Sequence, residues 1–262
     1  MEKTICGTTI HYTLREGQGT PIVLLHGWGC DESLMQPIAD RLEPGRPLLT
    51  LDFPGHGKSG RPPEPWGVPE YAGATRELLE QLGLTPCDVI AHSFGGRVTL
   101  WLAAYHPELF RRILLTGAAG LKKPQTEEGK KRAEAFQKKK AALHTLRGLK
   151  VFNPLLDKAE ESLRQKYGSR DYNALDAEMR QTFVKVISLD LTDCLPRVQS
   201  PTLLVWGDGD TETPLWMGQK MEREIPDAAL VVLEGGTHFA YLEQAARFAA
   251  IAQTFFTDTI RP

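Results

Sequence analysis

The chain has 262 residues, 41% of them hydrophobic, with 31 Lys and Arg against 33 Asp and Glu. A length and apolar content of this order suit a single large domain with a substantial core, and a net charge of −2 gives no overall field to attract nucleic acid or an anionic membrane. Cys6, Cys30, Cys87 and Cys194 lie far apart, so they offer neither zinc-ligand spacing nor a disulfide framework, and a reduced compartment is expected.

The start, Met1-Glu2-Lys3-Thr4, has no apolar signal core behind a basic segment, and no run approaches the ~20 apolar residues of a membrane span. A cytoplasmic location follows as the expectation. Residues 3–14 alternate as an opening hairpin turning near Gly7. A strand over 21–26, a helix near 33–42 and a strand over 47–52 come next. A helix near 70–83 precedes a strand over 87–91 and a helix over 94–105, and Arg112 to Thr116 is a further buried strand. Such alternation predicts a mostly parallel sheet with helices on both faces.

From 121 to 195 no buried strand is evident. Helical stretches near 126–147, 154–167 and 174–189 are separated by Gly148, Asn153-Pro154 and Gly168. This segment is expected to be a helical lid inserted into a core of residues 1–120 and 196–262. Its first helix is basic, with the run Lys138-Lys139-Lys140, which reads as a solvated outer face. Strand–helix alternation resumes at Pro201, with strands that stop at Asp208 and Asp210 and, further on, at His238.

The chemistry is carried by Ala91-His92-Ser93-Phe94-Gly95-Gly96. A buried strand meets a helix here, and the reversal takes about four residues. A turn that sharp forces its central residue to positive φ, at a cost of about 1–3 kcal/mol for a residue other than glycine. Only very small side chains fit two residues to either side of the serine, and these are Ala91 and Gly95. The pattern is the nucleophile elbow G-x-S-x-G with alanine in the first glycine position.

His26-Gly27-Trp28-Gly29 follows one strand, and Asp52-Phe53-Pro54-Gly55-His56-Gly57-Lys58-Ser59 follows another. Serine, acid and histidine occur in that order, each at the carboxyl end of a strand. On these motifs the chain resembles the α/β-hydrolase superfamily, in its lid-bearing esterase, lipase and carbon–carbon hydrolase branch. The resemblance implies Ser93 as nucleophile, His238 as general base and Asp210 as the orienting acid. Asp208 and Glu212 lie in the same loop, but the family pattern G-x-x-D-x-x-x-P falls on Asp210. It also implies an oxyanion hole from the backbone N–H groups of Trp28 and Phe94. His26 and His56 match structural positions, and His92 is expected to point away from the nucleophile.

No cofactor and no metal are implied. The expected activity is hydrolysis of a small-to-medium carboxylic ester through an acyl-enzyme. Two other readings stand beside it. One is a carbon–carbon hydrolase or a menaquinone-pathway lyase, suggested by Gly95-Gly96-Arg97. The other is a hydrolase-like signalling protein acting through a partner, suggested by the loop from His26 to Ser33. The sequence fixes no oligomeric state.

Overall fold

A computed structural model describes residues 1–42, 44–123 and 175–257, together with isolated positions between 127 and 173. Two compact units emerge from its internal contacts, Met1–Leu121 with Val184–Pro262, and Lys122–Phe183.

The first unit is built on an eight-stranded sheet. Its strands are β1 (Glu2–Ile5), β2 (Thr8–Arg15), β3 (Ile22–Leu25), β4 (Leu48–Leu51), β5 (Cys87–His92), β6 (Phe110–Thr116), β7 (Thr202–Gly207) and β8 (Ala228–Leu233), in the spatial order β1-β2-β4-β3-β5-β6-β7-β8. The β1–β2 and β2–β4 pairs are antiparallel and the rest parallel. Every residue of β3, β4, β5 and β7 is buried, which explains why these strands read as unbroken apolar runs: a parallel sheet is covered on both faces.

Alternation along each strand divides the core in two. Val23, Leu25, Val89, Ala91 and Leu115 face one layer with α2 (Val68–Gln81) and α3 (Phe94–Tyr105). Leu24, Ile90, Leu114 and Val205 face the other, with α1 (Gln36–Ala39), Tyr241 and Phe248. His92 follows Ile90 by two residues and therefore lies on the second face. At the amino-terminal ends of the strands, the fully buried Asp88 accepts bonds from Arg46 and from Arg111, the latter at 2.9 and 2.5 Å.

Several expected elements differ in extent. The helix near 33–42 is a 3₁₀ turn over Glu32–Leu34, capped by the Asp31 carboxylate, followed by the short α1. Pro37 has no N–H to bond back to Ser33, so the α-helical ladder starts only at Ala39 N–H to Met35 O. Downstream of α5 (Leu215–Glu224), the residues after His238 form two helices, α6 (Ala240–Glu243) and α7 (Ala245–Phe256). They are separated at Gln244, whose backbone leaves the helical region at φ −121° and whose side chain donates to the Glu234 carbonyl.

In the intervening segment, α4 (Ala177–Ser188) is a helix, with the Asp176 carboxylate accepting the Glu178 and Met179 N–H groups at its start. The helices expected near 126–147 and 154–167, and Lys140 of the basic run, lie outside the described residues apart from isolated helical positions. Beyond Phe183, Val186, Leu191 and Leu195 join the apolar core of the first unit. Arg97, 7% exposed, donates to the Leu189 carbonyl at 2.7 Å, and burial pushes its pKa down to about 10. The arginine of the Gly95-Gly96-Arg97 motif is thus engaged by backbone. Among the described residues, no helix is long and apolar enough to cross a membrane.

Candidate active site

Ser93 separates β5 from α3 at φ 49°, ψ −106°, a conformation costly for a side chain. Its surroundings hold it there. The Ser93 N–H donates to Thr116 O at 3.2 Å, and its carbonyl accepts the Ala119 and Arg97 N–H groups at 3.0 and 3.2 Å. Close packing explains the small residues around it. A Cβ on Gly95 would lie 2.6 Å from the Leu25 carbonyl oxygen, and the Gly95 N–H donates to His26 O at 3.1 Å.

Asp210 and His238, more than twenty residues apart in sequence, meet because β7 and β8 are adjacent and both strands end at the same edge. His238 Nδ1 lies 2.8 Å from Asp210 Oδ2, and the aspartate side chain is 1% exposed against 14% for the histidine. Asp210 Oδ1 accepts the Glu212 and Thr213 N–H groups, both at 2.9 Å. The Thr213 hydroxyl stands 2.8 Å from Asp210 Oδ2 and 2.9 Å from the Gly117 carbonyl. Burial on its own would raise the Asp210 pKa. The bond and charge of His238, together with the Thr213 donors, outweigh that and hold it below the ordinary carboxylate value.

The other two acids of the loop serve elsewhere. Asp208 Oδ1 accepts the Gly235 N–H at 2.8 Å, tying the loop after β7 to the one after β8. Glu212 contributes its backbone N–H to Asp210.

Trp28 and Phe94, taken from the sequence for their backbone N–H groups, are neighbours, with rings 5.2 Å apart at 83°. His26 fixes the peptide ahead of Trp28. Its Nε2 accepts the Phe53 N–H at 3.0 Å, so its single proton is on Nδ1, which donates to the Gly27 carbonyl at 2.7 Å. The Gly27–Trp28 peptide is planar, so turning its carbonyl toward the imidazole turns the Trp28 N–H the opposite way. Burial keeps His26 neutral, with its pKa lowered to about 4. His56 behaves likewise, lowered to about 4 by burial and the neighbouring His26, and its ring lies 4.7 Å from Trp28.

His92 lies as its place in β5 predicts. It does turn to the face opposite α3, but that face carries the His238 loop: the two rings are 4.7 Å apart and His92 Nε2 lies 3.0 Å from the His238 carbonyl oxygen. A polar ring directly after the apolar run Val89-Ile90-Ala91 of a buried strand needs a partner, and that was the sequence signal available for it.

Among the described residues, His11, Glu32 and Asp52 hold possible metal-ligand atoms within 4.8 Å of one another. The two carboxylates already have other uses. The two Asp52 oxygens accept the Glu32 and Lys58 N–H groups at 2.7 and 2.8 Å, and the Lys58 ammonium is 3.6 Å from Glu32. The group acts as a clasp for the Asp52–Ser59 loop.

Comparison with known proteins agrees with this architecture. The chain is 27% identical over 260 residues to a pimeloyl-[acyl-carrier protein] methyl ester esterase of Neisseria meningitidis serogroup C, covering 89% of this chain and 92% of the relative. It is 28% identical over 253 residues to a 2-hydroxymuconate semialdehyde hydrolase of Pseudomonas putida, covering 93% and 89%. In fold it is similar to the enol-lactonase of Burkholderia xenovorans LB400, with TM-score 0.73, 22% identity and coverage of 97% and 99%. The esterase of Exiguobacterium antarcticum also has TM-score 0.73, at 24% identity and the same coverage. The family model described as alpha/beta hydrolase matches residues 22–251. With its mostly parallel sheet, the Ser93 turn at the end of the central strand and this match over most of its length, the chain belongs to the alpha/beta hydrolase family.

Proposed function

We propose that this hydrolase cleaves a small-to-medium carboxylic ester with Ser93 as nucleophile, His238 as general base and Asp210 as the acid that orients it. The observation that carries the reading is the Asp210–His238 contact of 2.8 Å, at the same sheet edge as the strained Ser93 turn. A serine hydroxyl attacks only if a base takes its proton during the step. In this reading Asp210 bonds the Nδ1–H of His238 and leaves Nε2 to accept the Ser93 proton.

The attack gives a tetrahedral intermediate whose oxyanion is bound by the N–H groups of Phe94 and Trp28. Phe94 begins α3, so the positive end of the helix dipole adds to its donation. His238 then returns its proton to the leaving alcohol, and water, activated by the same imidazole, releases the acid from Ser93. An ester substrate is supported by the methyl ester esterase among the relatives.

A second reading, cleavage of a carbon–carbon bond by the same three residues, is favoured by the relative named for hydrolysis of 2-hydroxymuconate semialdehyde. A fluorophosphonate probe tests what both readings share: it is expected to label the native chain at Ser93 and to leave Ser93→Ala unlabelled. Labelling that persists in the variant would overturn the assignment. Turnover of p-nitrophenyl esters of rising chain length, beside 2-hydroxymuconate semialdehyde, separates the two readings. Ser93 labelling without turnover of either substrate class would favour a signalling role.

A further inference from the structure

His238 is held in a segment with little rigidity of its own. It lies between the glycine pair Gly235-Gly236 and α6, a helix of four residues, too short to be stable by its own hydrogen bonds. Neighbouring groups fasten the segment from several sides. Asp208 holds the Gly235 N–H, Glu243 holds the Thr237 N–H at 2.8 Å, and Gln244 holds the Glu234 carbonyl. These contacts flank the histidine.

We infer that His92 is a positioning residue for His238: its Nε2–H binds the His238 carbonyl and its ring packs against the His238 ring, fixing both the backbone and the ring of the residue that serves as the base. The inference rests on the serine-hydrolase reading above.

The geometry of His92 supports this from each side. The residue is 1% exposed, with its ring 4.7 Å from those of both His238 and Tyr241 and 5.2 Å from that of Phe239. Nε2 is 3.0 Å from the His238 carbonyl, which accepts, so the ring proton is on Nε2. Nδ1 is buried without a hydrogen-bond partner and faces Gly27, where a Cβ would come within 2.8 Å of it. A proton on Nδ1 would have no acceptor there, and burial duly lowers the His92 pKa to about 3. The ring therefore remains a neutral one-proton donor, and it does not repel His238 when that residue becomes charged. Because His92 is covalently joined to Ser93, the contact also ties base and nucleophile to one strand end.

The test compares His92→Phe, which keeps a ring but has no donor, with His92→Gln, whose amide N–H lies as many bonds from the backbone as Nε2. Kinetics with p-nitrophenyl acetate and the rate of fluorophosphonate labelling are read alongside the low-field proton signal of the Asp210–His238 bond. In His92→Phe kcat and the labelling rate are expected to fall roughly tenfold to a hundredfold, as for a base displaced by a fraction of its optimum. KM should change little, and the low-field signal should weaken or vanish.

His92→Gln is expected to stay within about threefold of the native rate and to keep the signal. Native kcat in His92→Phe, an unchanged low-field signal, a loss confined to KM, or a His92→Gln as impaired as His92→Phe would each overturn the inference. If His92→Phe fails to fold, the His92→Gln rates and signal decide alone. Failure of the underlying reading looks different: the native chain would then not be labelled at Ser93, and the low-field signal would still judge the role of His92.

Discussion

The role proposed for Asp210 depends on the donors around its carboxylate. Four groups converge on it, the His238 imidazole, the Glu212 and Thr213 N–H groups and the Thr213 hydroxyl. Replacing Asp210 by Asn sets an amide where a charged acceptor met the Nδ1–H, and the histidine tautomer reverses. A fall in kcat on the order of 10⁴ is expected in ester turnover. Asp208→Asn keeps an acceptor for the Gly235 N–H and should cost far less. The reverse ranking would move the role to Asp208. The roles proposed for Ser93 and His238 come from the strand ends on which they fall, and that of Asp210 from the spacing of its loop. The contact of His92 was not legible in the sequence, because its partner is a backbone carbonyl more than a hundred residues away, and spacing along one strand carries no trace of it.

At the scale of elements, β5 and α3 were readable almost to the residue because glycines, a serine and apolar runs punctuate them sharply. The short helices were not. Pro37 shortens α1 from its own position, whereas the break between α6 and α7 depends on Gln244 reaching Glu234, a tertiary contact that no helical period announces. The turn joining β5 to α3 supplies its own test. Gly95→Ala would bring a Cβ against the Leu25 carbonyl, backbone that cannot swing aside. We expect a loss of about 1–3 kcal/mol in stability, measured by urea unfolding, together with reduced turnover as Phe94 and Ser93 shift. A variant as stable as the native chain would show that β3 and α3 can separate freely.

For the whole molecule, the mostly parallel character of the sheet followed from alternation of buried strands and helices, while the insertion, with no strand pattern in its sequence, left only helical period to read. Three buried neutral histidines bear on global stability. His26, His56 and His92 have pKa values lowered to about 4, 4 and 3, against about 6.5 when unfolded. Between pH 6.5 and about 4 the unfolded chain therefore binds more protons than the native one, so stability rises with pH and falls on acidification. Each histidine contributes up to about 1.4 kcal/mol per pH unit in that window. Unfolding free energy measured by urea at pH 7.5, 6 and 5 is expected to drop steeply below 6.5. A flat profile would mean that these rings take up protons while still in the fold.

The placement of the three proposed catalytic residues along the chain has a consequence during synthesis. Ser93 leaves the ribosome roughly a hundred residues before Asp210 and His238, an interval on the order of ten seconds at ordinary translation rates. Through that interval the strand bearing the serine has neither the proposed base nor the strands β7 and β8 that complete the sheet. An unassisted hydroxyl does not attack esters, so the growing polypeptide is chemically inert toward cellular esters. Under the proposed mechanism reactivity switches on only when β8 docks, and the nascent chain is not acylated before its sheet is complete.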